Sequence, residues 1–535
     1  MAAVGQQSVP DVMGQAGRRR TFAVISHPDA GKSTLTEALA LHARVISEAG
    51  AVHGKAGRRG VVSDWLAMEQ ARGISITSAA LQFSYGDTVI NMLDTPGHAD
   101  FSEDTFRVLS AVDSAVMLLD AAKGLEPQTL KLFDVCRDRD IPVLTFINKW
   151  DRPGLEALEL CDELVERIGL QPMPLTWPVG EAGRFRGVLD CLDGSFVRYG
   201  RTAGGATAAV EERLDAERAL TEESDDWVRA TEETELLAAS GGRFDAARFF
   251  AATATPVLFG SAVLNFGVRH LLDVLVELAP RPTPRIDVEG SSRRLDAPFS
   301  AFVFKVQAGM DRSHRDQVAF ARVCSGVFER GMVVTHAATG RPFATKYAQQ
   351  VFGQQRSTLD TAYPGDVVGL VNATALRVGD TLYAGRPAVR FPPLPTFAPA
   401  HFVVARPTDL GRAKQFRKAV DQLGSEGVVQ VLRSDRRGDA TPVLAAVGPM
   451  QFEVAAHRLE HEFNVPIAFE RLPYTTVRRL DDPDQRALVD TGRRSEVLTR
   501  ADGTELALFL DQHALGVTQR LHPELALSHI VAGAD

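Results

Sequence analysis

Apolar residues in the first half of the chain cluster in short continuous runs, at 21–25, 89–93, 115–119, 142–147 and 256–259. Runs of this length without polar alternation predict strands buried on both faces, as in a parallel sheet covered by helices. Leu35, Ala38 and Leu39, just after the first run, fall on one helical face. About a hundred residues separate Asp151 from Gly260, more than one crossover helix requires. Within that gap, 175–179 and 187–190 predict short strands and 208–237 a charged helix, so an inserted subdomain is expected at about 171–250. From 298 to 384 the pattern changes to short strands broken by turn residues, among them 299–304, 317–323 and 366–370, which predicts a small β barrel. The last part predicts strand, helix, strand, strand, helix, strand. The strands are 402–405, 428–432, 443–447 and 465–469. One helix carries Ala413, Phe416, Val420 and Leu423 on a face, the other Phe452, Ala455, Leu459 and Phe463. That order is the ferredoxin-like split βαβ, and 506–515 predicts one more helix. Pro-rich linkers at 280–284 and 391–399 set the boundaries. They give a mobile tail at 1–17, an α/β domain at 18–284, a barrel at 296–390 and a ferredoxin-like α+β domain at 397–535.

Composition narrows the class. The 535 residues are 45% hydrophobic and 24% charged, as in an ordinary soluble protein. No apolar run approaches the ~20 residues of a membrane span, and the polar start is no secretory signal. Cys136, Cys161, Cys191 and Cys324 sit in apolar segments without a CxxC pair, which predicts reduced, buried thiols and a cytoplasmic protein. A net charge of −9 excludes a surface that binds nucleic acid everywhere. RNA phosphates would have to meet local patches, such as Lys414, Arg417 and Lys418 with Arg433, Arg436 and Arg437.

The chemistry lies at the ends of the apolar runs. The first runs into SHPDAGKS, residues 26–33, and then the helix. A strand, a tight loop ending in Gly-Lys-Ser and a helix form a phosphate-binding loop. Gly31 lets backbone N–H groups close on phosphate oxygens, Lys32 supplies a point charge, Ser33 offers a hydroxyl to Mg²⁺, and the helix N-terminus adds its dipole. Ser26 stands where the first Gly of that pattern is usual. Residues 45–73, with Gly50, Gly54, Gly57, Gly60, Lys55, Arg58 and Arg59, predict a long switch loop that leads into RGISIT at 72–77. A hydroxyl there could complete Mg²⁺ coordination while a γ-phosphate is present. The second run ends in DTPGH, residues 94–98. Asp94 can hold the Mg²⁺ shell, the Gly97 N–H can reach the γ-phosphate, and His98 sits where a side chain would position the attacking water. The fourth run ends in NKWD, residues 148–151, whose Asp151 can accept from guanine N1–H and the 2-amino group, donors that adenine lacks. Gly260, Ser261 and Ala262 end the fifth, and the Ala262 N–H would donate to guanine O6.

SHPDAGKS, RGISIT, DTPGH, NKWD and GSA, in this order, resemble the translational GTPases. Within them, RRRTFAVISHPDAGKST, SDWLAMEQARGISITS, NMLDTPGHADFSEDTFRVL and LTFINKWDR are most similar to the bacterial peptide chain release factor 3 family. The similarity continues through Gly365-Asp366 and residues 426–463, with elongation factor G as the nearest related family. The resemblance implies that Ser26, His27, Pro28, Asp29, Ala30, Gly31, Lys32, Ser33, Asp94, Thr95, Pro96, Gly97 and His98 surround the GTP phosphates. It implies Ser33, Ser75 and Asp94 as Mg²⁺ ligands, with Ser75 in the place of a usual Thr. Pro28 and Ile74 would form an apolar gate beside His98, the catalytic residue. Asn148, Lys149, Asp151, Ser261 and Ala262 would read guanine. The implied protein is a monomeric, ribosome-stimulated GTPase with Mg²⁺ as cofactor, whose partners are the ribosome and the stop-codon-reading release factors it displaces. About 65 residues follow Phe469, too few for two further domains of ordinary size, so tRNA translocation is not expected. An elongation-factor-G-like role is the alternative within the class. NKWD and DTPGH argue against a metabolic ATP enzyme, and intact Lys32, Ser33, Asp94 and His98 against a nucleotide-dead binding module.

Overall fold

The structure, a computed structural model, describes residues 11–44, 80–95, 102–200, 208–308, 317–352, 355–394, 396–438, 441–492 and 494–530. The apolar runs form the centre of the N-terminal domain. Strands β1 (Arg19–Ser26), β2 (Ala80–Tyr85), β3 (Thr88–Asp94), β4 (Ser114–Asp120), β5 (Val143–Asn148), β6 (Gln171–Pro174) and β11 (Ala254–Phe259) make one sheet in the order β2-β3-β1-β4-β5-β11-β6. All neighbours are parallel except β2 and β3. Every residue of β1 is buried. Ala23 and Ile25 face one apolar core, Phe22 and Val24 the other, because alternate side chains of a strand leave on opposite faces. Both faces are therefore covered, and the C-terminal edge of the sheet is left for chemistry.

The insertion is smaller than its predicted span of about 171–250. Gln171–Pro174 belongs to the main sheet, parallel to β11. A separate sheet begins with β7 (Thr176–Val179), β8 (Gly187–Asp190) and β9 (Phe196–Gly200). Its fourth strand, β10 (Val210–Leu214), occupies the start of the stretch expected to be helical. Cross-strand pairing explains the difference, since Arg198 of β9 meets Glu212 at 2.6 Å. The helix follows at Ala216–Leu237, where the Asp215 side chain caps the Arg218 N–H. The predicted tail at 1–17 also needs correction. Val12–Gly17 is a helix capped by Asp11, and Gln15 accepts from the Arg19 guanidinium. Residues 1–10 lie outside the described residues.

The second domain is a barrel-like eight-stranded sheet, built largely around Ser300–Ala308, Gln317–Ser325 and Val367–Val371. Asp366 fastens it to the N-terminal domain. Its carboxylate takes the Arg19 Nε at 2.8 Å, Gln82 Nε2 at 2.9 Å and Asn91 Nδ2 at 3.3 Å, while Thr21 donates to Gly365 O at 2.7 Å. Arg19 and Asp366 are both buried. Replacing Asp366 by alanine leaves a buried guanidinium without its counter-ion, and is expected to cost about 3–5 kcal/mol. Chemical denaturation of the variant checks this, and an unchanged midpoint would show that Gln15 alone satisfies Arg19.

The third domain has the ferredoxin-like order. Ile467–Arg471, His401–Pro407, Val443–Ala446 and Gln430–Arg433 lie side by side, under the helices Ala413–Glu426 and Met450–His461. Between those helices Arg458 pairs with Glu426 at 2.8 Å and with Glu462 at 2.9 Å. The sheet does not stop there. Ser495–Arg500, Glu505–Phe509, Thr476–Leu480 and Leu527–Ser528 extend it to eight strands. The helix expected at 506–515 is corrected accordingly. Residues 505–509 are a strand, and the helix is Gln512–Leu521, capped by Asp511. Leu506, Ala507, Leu508 and Phe509 are buried on both faces of the strand, so their continuous apolar run carries no period to tell strand from helix. The basic patch is partly consumed inside this domain. Arg436 binds Asp490 and Arg437 binds the buried Glu496, whereas Lys414, Arg417, Lys418 and Arg433 are exposed. The helix Ser102–Leu109 joins this domain to the first, with Phe106 edge-on to Phe397 and Gln430 reaching Glu103. Among the described residues no helix is long and apolar enough to cross a membrane. Cys136, Cys161 and Cys324 are buried free thiols, and Cys191 is half-buried.

Candidate nucleotide site

Strand register brings the candidate residues together. Val24 lies beside Asp94, Ser26 beside Leu118, Asp120 beside Asn148, and Phe259 beside Ile147. The four motifs on described residues thus emerge on one edge, next to β1, where the strand order reverses. Residues 27–31 turn from β1 into the helix Lys32–His42, whose N-cap is Gly31. The turn needs left-handed backbone at Asp29 (φ 66°) and Gly31 (φ 96°). A Cβ at Gly31 would lie 2.5 Å from Asn148 Nδ2, so glycine is required both for conformation and for space.

Lys32 is buried and carries its ammonium to the end of β3. It donates to Thr95 O and lies 3.4 Å from Asp94 Oδ1. Thr95 is itself fixed by its hydroxyl on Val24 O at 2.7 Å. His27 is 3% exposed, with Nδ1 against the Glu126 carboxylate. Burial holds its pKa below the ordinary value, and the Glu126 charge offsets only part of that. It is a neutral strut under the loop rather than a second cation for phosphate.

The base-side loops interlock. Asn148 Nδ2 donates to Ala30 O at 2.8 Å, and its Oδ1 accepts from the Ala262 N–H at 2.9 Å. Ser261 donates to Asp151 Oδ1 at 2.6 Å. Trp150 N–H bonds Gly260 O at 3.1 Å, and the indole N–H bonds Gly180 O at 3.1 Å. The residues expected to read guanine therefore divide into two roles. Asn148 and Ala262 tie the phosphate loop to both base loops, and the Ala262 N–H can reach a guanine O6 only by sharing its bond to Asn148. Asp151 keeps acceptor capacity beyond the Ser261 bond. Lys149, at φ 65°, sends its ammonium to Asp120 Oδ2 at 2.8 Å and to Asp29 O, so its side chain bridges the base-side loop and the phosphate loop.

Sequence reasoning passed over Asp120. Burial opposes its ionisation, but the bonds from Lys149 and the Ala122 N–H outweigh burial and hold its pKa below the usual carboxylate value. The signal was present, because Asp120 ends an apolar strand as Asp94 does. Of the other candidates, Pro28 and Ser33 lie in the phosphate loop and at the start of the following helix. Ile74, Ser75, Pro96, Gly97 and His98 lie outside the described residues.

Comparison with known proteins follows the same architecture. Residues 17–281 match the family model for the elongation factor Tu GTP binding domain, and 298–385 that for elongation factor G domain 2. Residues 391–519 match that for class II release factor RF3, C-terminal domain. A peptide chain release factor 3 from Gloeobacter violaceus is 48% identical over 88% of this chain and 89% of its own. One from Trichodesmium erythraeum is 44% identical over 97% of each. A crystal structure of a Thermus thermophilus protein matches 91% of this chain and 72% of its own with a TM-score of 0.68 at 21% identity, a likeness of fold. The chain belongs to the peptide chain release factor 3 family.

Proposed function

We propose that this chain binds GTP with Mg²⁺ at the C-terminal edge of its first sheet. The ribosome stimulates it to hydrolyse the nucleotide, and it uses the cycle to drive stop-codon-reading release factors off the ribosome after peptide release. The observation that carries this is the convergence of Lys32, Asp94, Asn148, Asp151 and Ser261 on one edge in a chain of the release factor 3 family.

The residues present suit Mg²⁺. Asp94 offers a buried carboxylate at the end of β3, and Ser33 a hydroxyl at the start of the helix. One carboxylate and one hydroxyl, completed by phosphate oxygens and water, is the oxygen set this ion takes. Ser33 and Asp94 would hold it, with Ser75 joining from the switch segment, and it would neutralise charge on the outer phosphates. Lys32 moves its ammonium from Thr95 O to the phosphates. The loop N–H groups and the helix N-terminus cradle them. Asp151 accepts from the guanine edge, and the stem of Lys149 packs against the base. His98 positions the attacking water. Between cycles the protein is a cytoplasmic monomer.

GTP turnover with and without vacant ribosomes tests this reading. Stimulation of roughly 10³-fold or more is expected, the scale on which a partner that completes a GTPase site acts. Equal turnover in both arms would contradict it.

A further inference from the structure

A second cleft opens at the opposite edge of the first sheet. It has a volume of about 560 Å³, within the range of small-molecule sites. Residues 110–113 and 139–142, just before β4 and β5, form one wall. The linkers at 280–286 and 392–394 form the others, so the cleft touches both connections between domains.

Its charge is unbalanced. Arg322 is fully engaged, holding both oxygens of Asp113 at 2.8 and 2.6 Å and donating to Ala111 O. That leaves Arg139, Arg281 and Arg285 against a single further carboxylate, Asp140, among the described lining residues. Arg285 lies over the Phe302 ring at 4.0 Å and donates to Ser110 O. Arg139 lies over Phe106 at 4.2 Å, and its Nε is buried with no hydrogen-bond partner among the described residues. A buried donor without a partner is costly, more so on a charged group. Burial, and then the Arg285 charge, push the Arg139 guanidinium down to about 10. Arginines at one cleft, two of them laid on aromatic faces, with too few carboxylates to pair them, suit an anion with several oxygens.

We propose that this cleft binds a small phosphate-bearing ligand of the diphosphate class, with Arg139, Arg281 and Arg285 contacting its oxygens. Such a ligand would bridge the first domain to both linkers, and would therefore stiffen the arrangement of the three domains. The proline walls at 280, 282, 284, 392 and 393 favour a compact anion over a polynucleotide backbone, which needs an open groove.

Equilibrium dialysis with labelled inorganic pyrophosphate tests the proposal, using full-length protein saturated with GDP and Mg²⁺ so that the nucleotide loops are filled. One pyrophosphate per protein is expected to bind beyond the nucleotide. Arg139→Gln should weaken it at least tenfold. So should Arg281→Glu, at an exposed position where a folding defect is not expected. Arg294→Glu, an exposed arginine outside the cleft, should leave it unchanged. Absence of the extra pyrophosphate, or affinity indifferent to both cleft variants, overturns the proposal. Displacement of pyrophosphate by a far tighter-binding single-stranded oligonucleotide also overturns it, and assigns the cleft to RNA.

Discussion

Replacing His98 by alanine is expected to leave GTP and GDP affinity within about twofold, and to lower ribosome-stimulated turnover by roughly 10²–10⁴-fold. The split follows from where the ligand is held. In the proposed site, ground-state nucleotide is bound by the phosphate loop, Lys32, Asp94 and the base loops, whose geometry is fixed by bonds such as Asn148 to Ala30 O and Thr95 to Val24 O. His98 comes four residues after Asp94, and its proposed partner is water. A group that acts on water only as the reaction proceeds changes kcat and not ground-state binding. Nucleotide titration and single-turnover hydrolysis on ribosomes read the two effects separately. Near wild-type turnover would remove His98 from the reaction, and a parallel fall in affinity would make it a binding residue.

Asp151→Asn is expected to weaken GTP binding by about 2–4 kcal/mol, or roughly 30- to 900-fold, and to shift preference toward xanthosine triphosphate. In the wild type the Ser261 hydroxyl fixes one carboxylate oxygen at 2.6 Å. Asparagine can keep that bond through its Oδ1, so the loop should hold its shape. Its amide then presents N–H groups to guanine, which also offers donors at N1 and N2. Xanthine has a carbonyl at the second of these positions and restores a donor–acceptor match. Competition binding of the two nucleotides gives the result directly, and unchanged GTP affinity would exclude Asp151 from base recognition.

The positions where sequence and structure agree share a physical reason. A strand buried on both faces, such as β1 or β4, must be apolar throughout, and chemistry can begin only where it ends. The places of Asp94, Asn148 and the loop at 26–33 at strand ends on one edge are legible for that reason. The roles inside the base loops are not. That Asn148 bonds Ala30 O and the Ala262 N–H, and that Lys149 reaches Asp120, depends on register between strands far apart in sequence. The same limit applied to Glu505–Phe509, a buried strand that a run of apolar residues cannot distinguish from a helix, and to β10, whose charges Glu211, Glu212 and Arg213 suggested a solvated helix until Arg198 of β9 supplied a partner. Gly365-Asp366 carries part of the family resemblance, but the work of Asp366 as an interdomain anchor depends on Arg19, Gln82 and Asn91, which only the fold brings around it.

In termination this GTPase is proposed to drive the removal of a release factor, using the different affinities of its GTP form for two ribosomal states. A labelled stop-codon-reading release factor, pre-bound to a terminated ribosome complex and chased with unlabelled factor, measures it. This protein with GTP is expected to accelerate loss of the label, the His98→Ala variant to fail to turn over repeatedly, and tRNA–mRNA movement in a parallel assay to be unaffected. An unchanged dissociation rate together with accelerated tRNA–mRNA movement would rule out removal of the release factor and assign the chain an elongation-factor-G-like role.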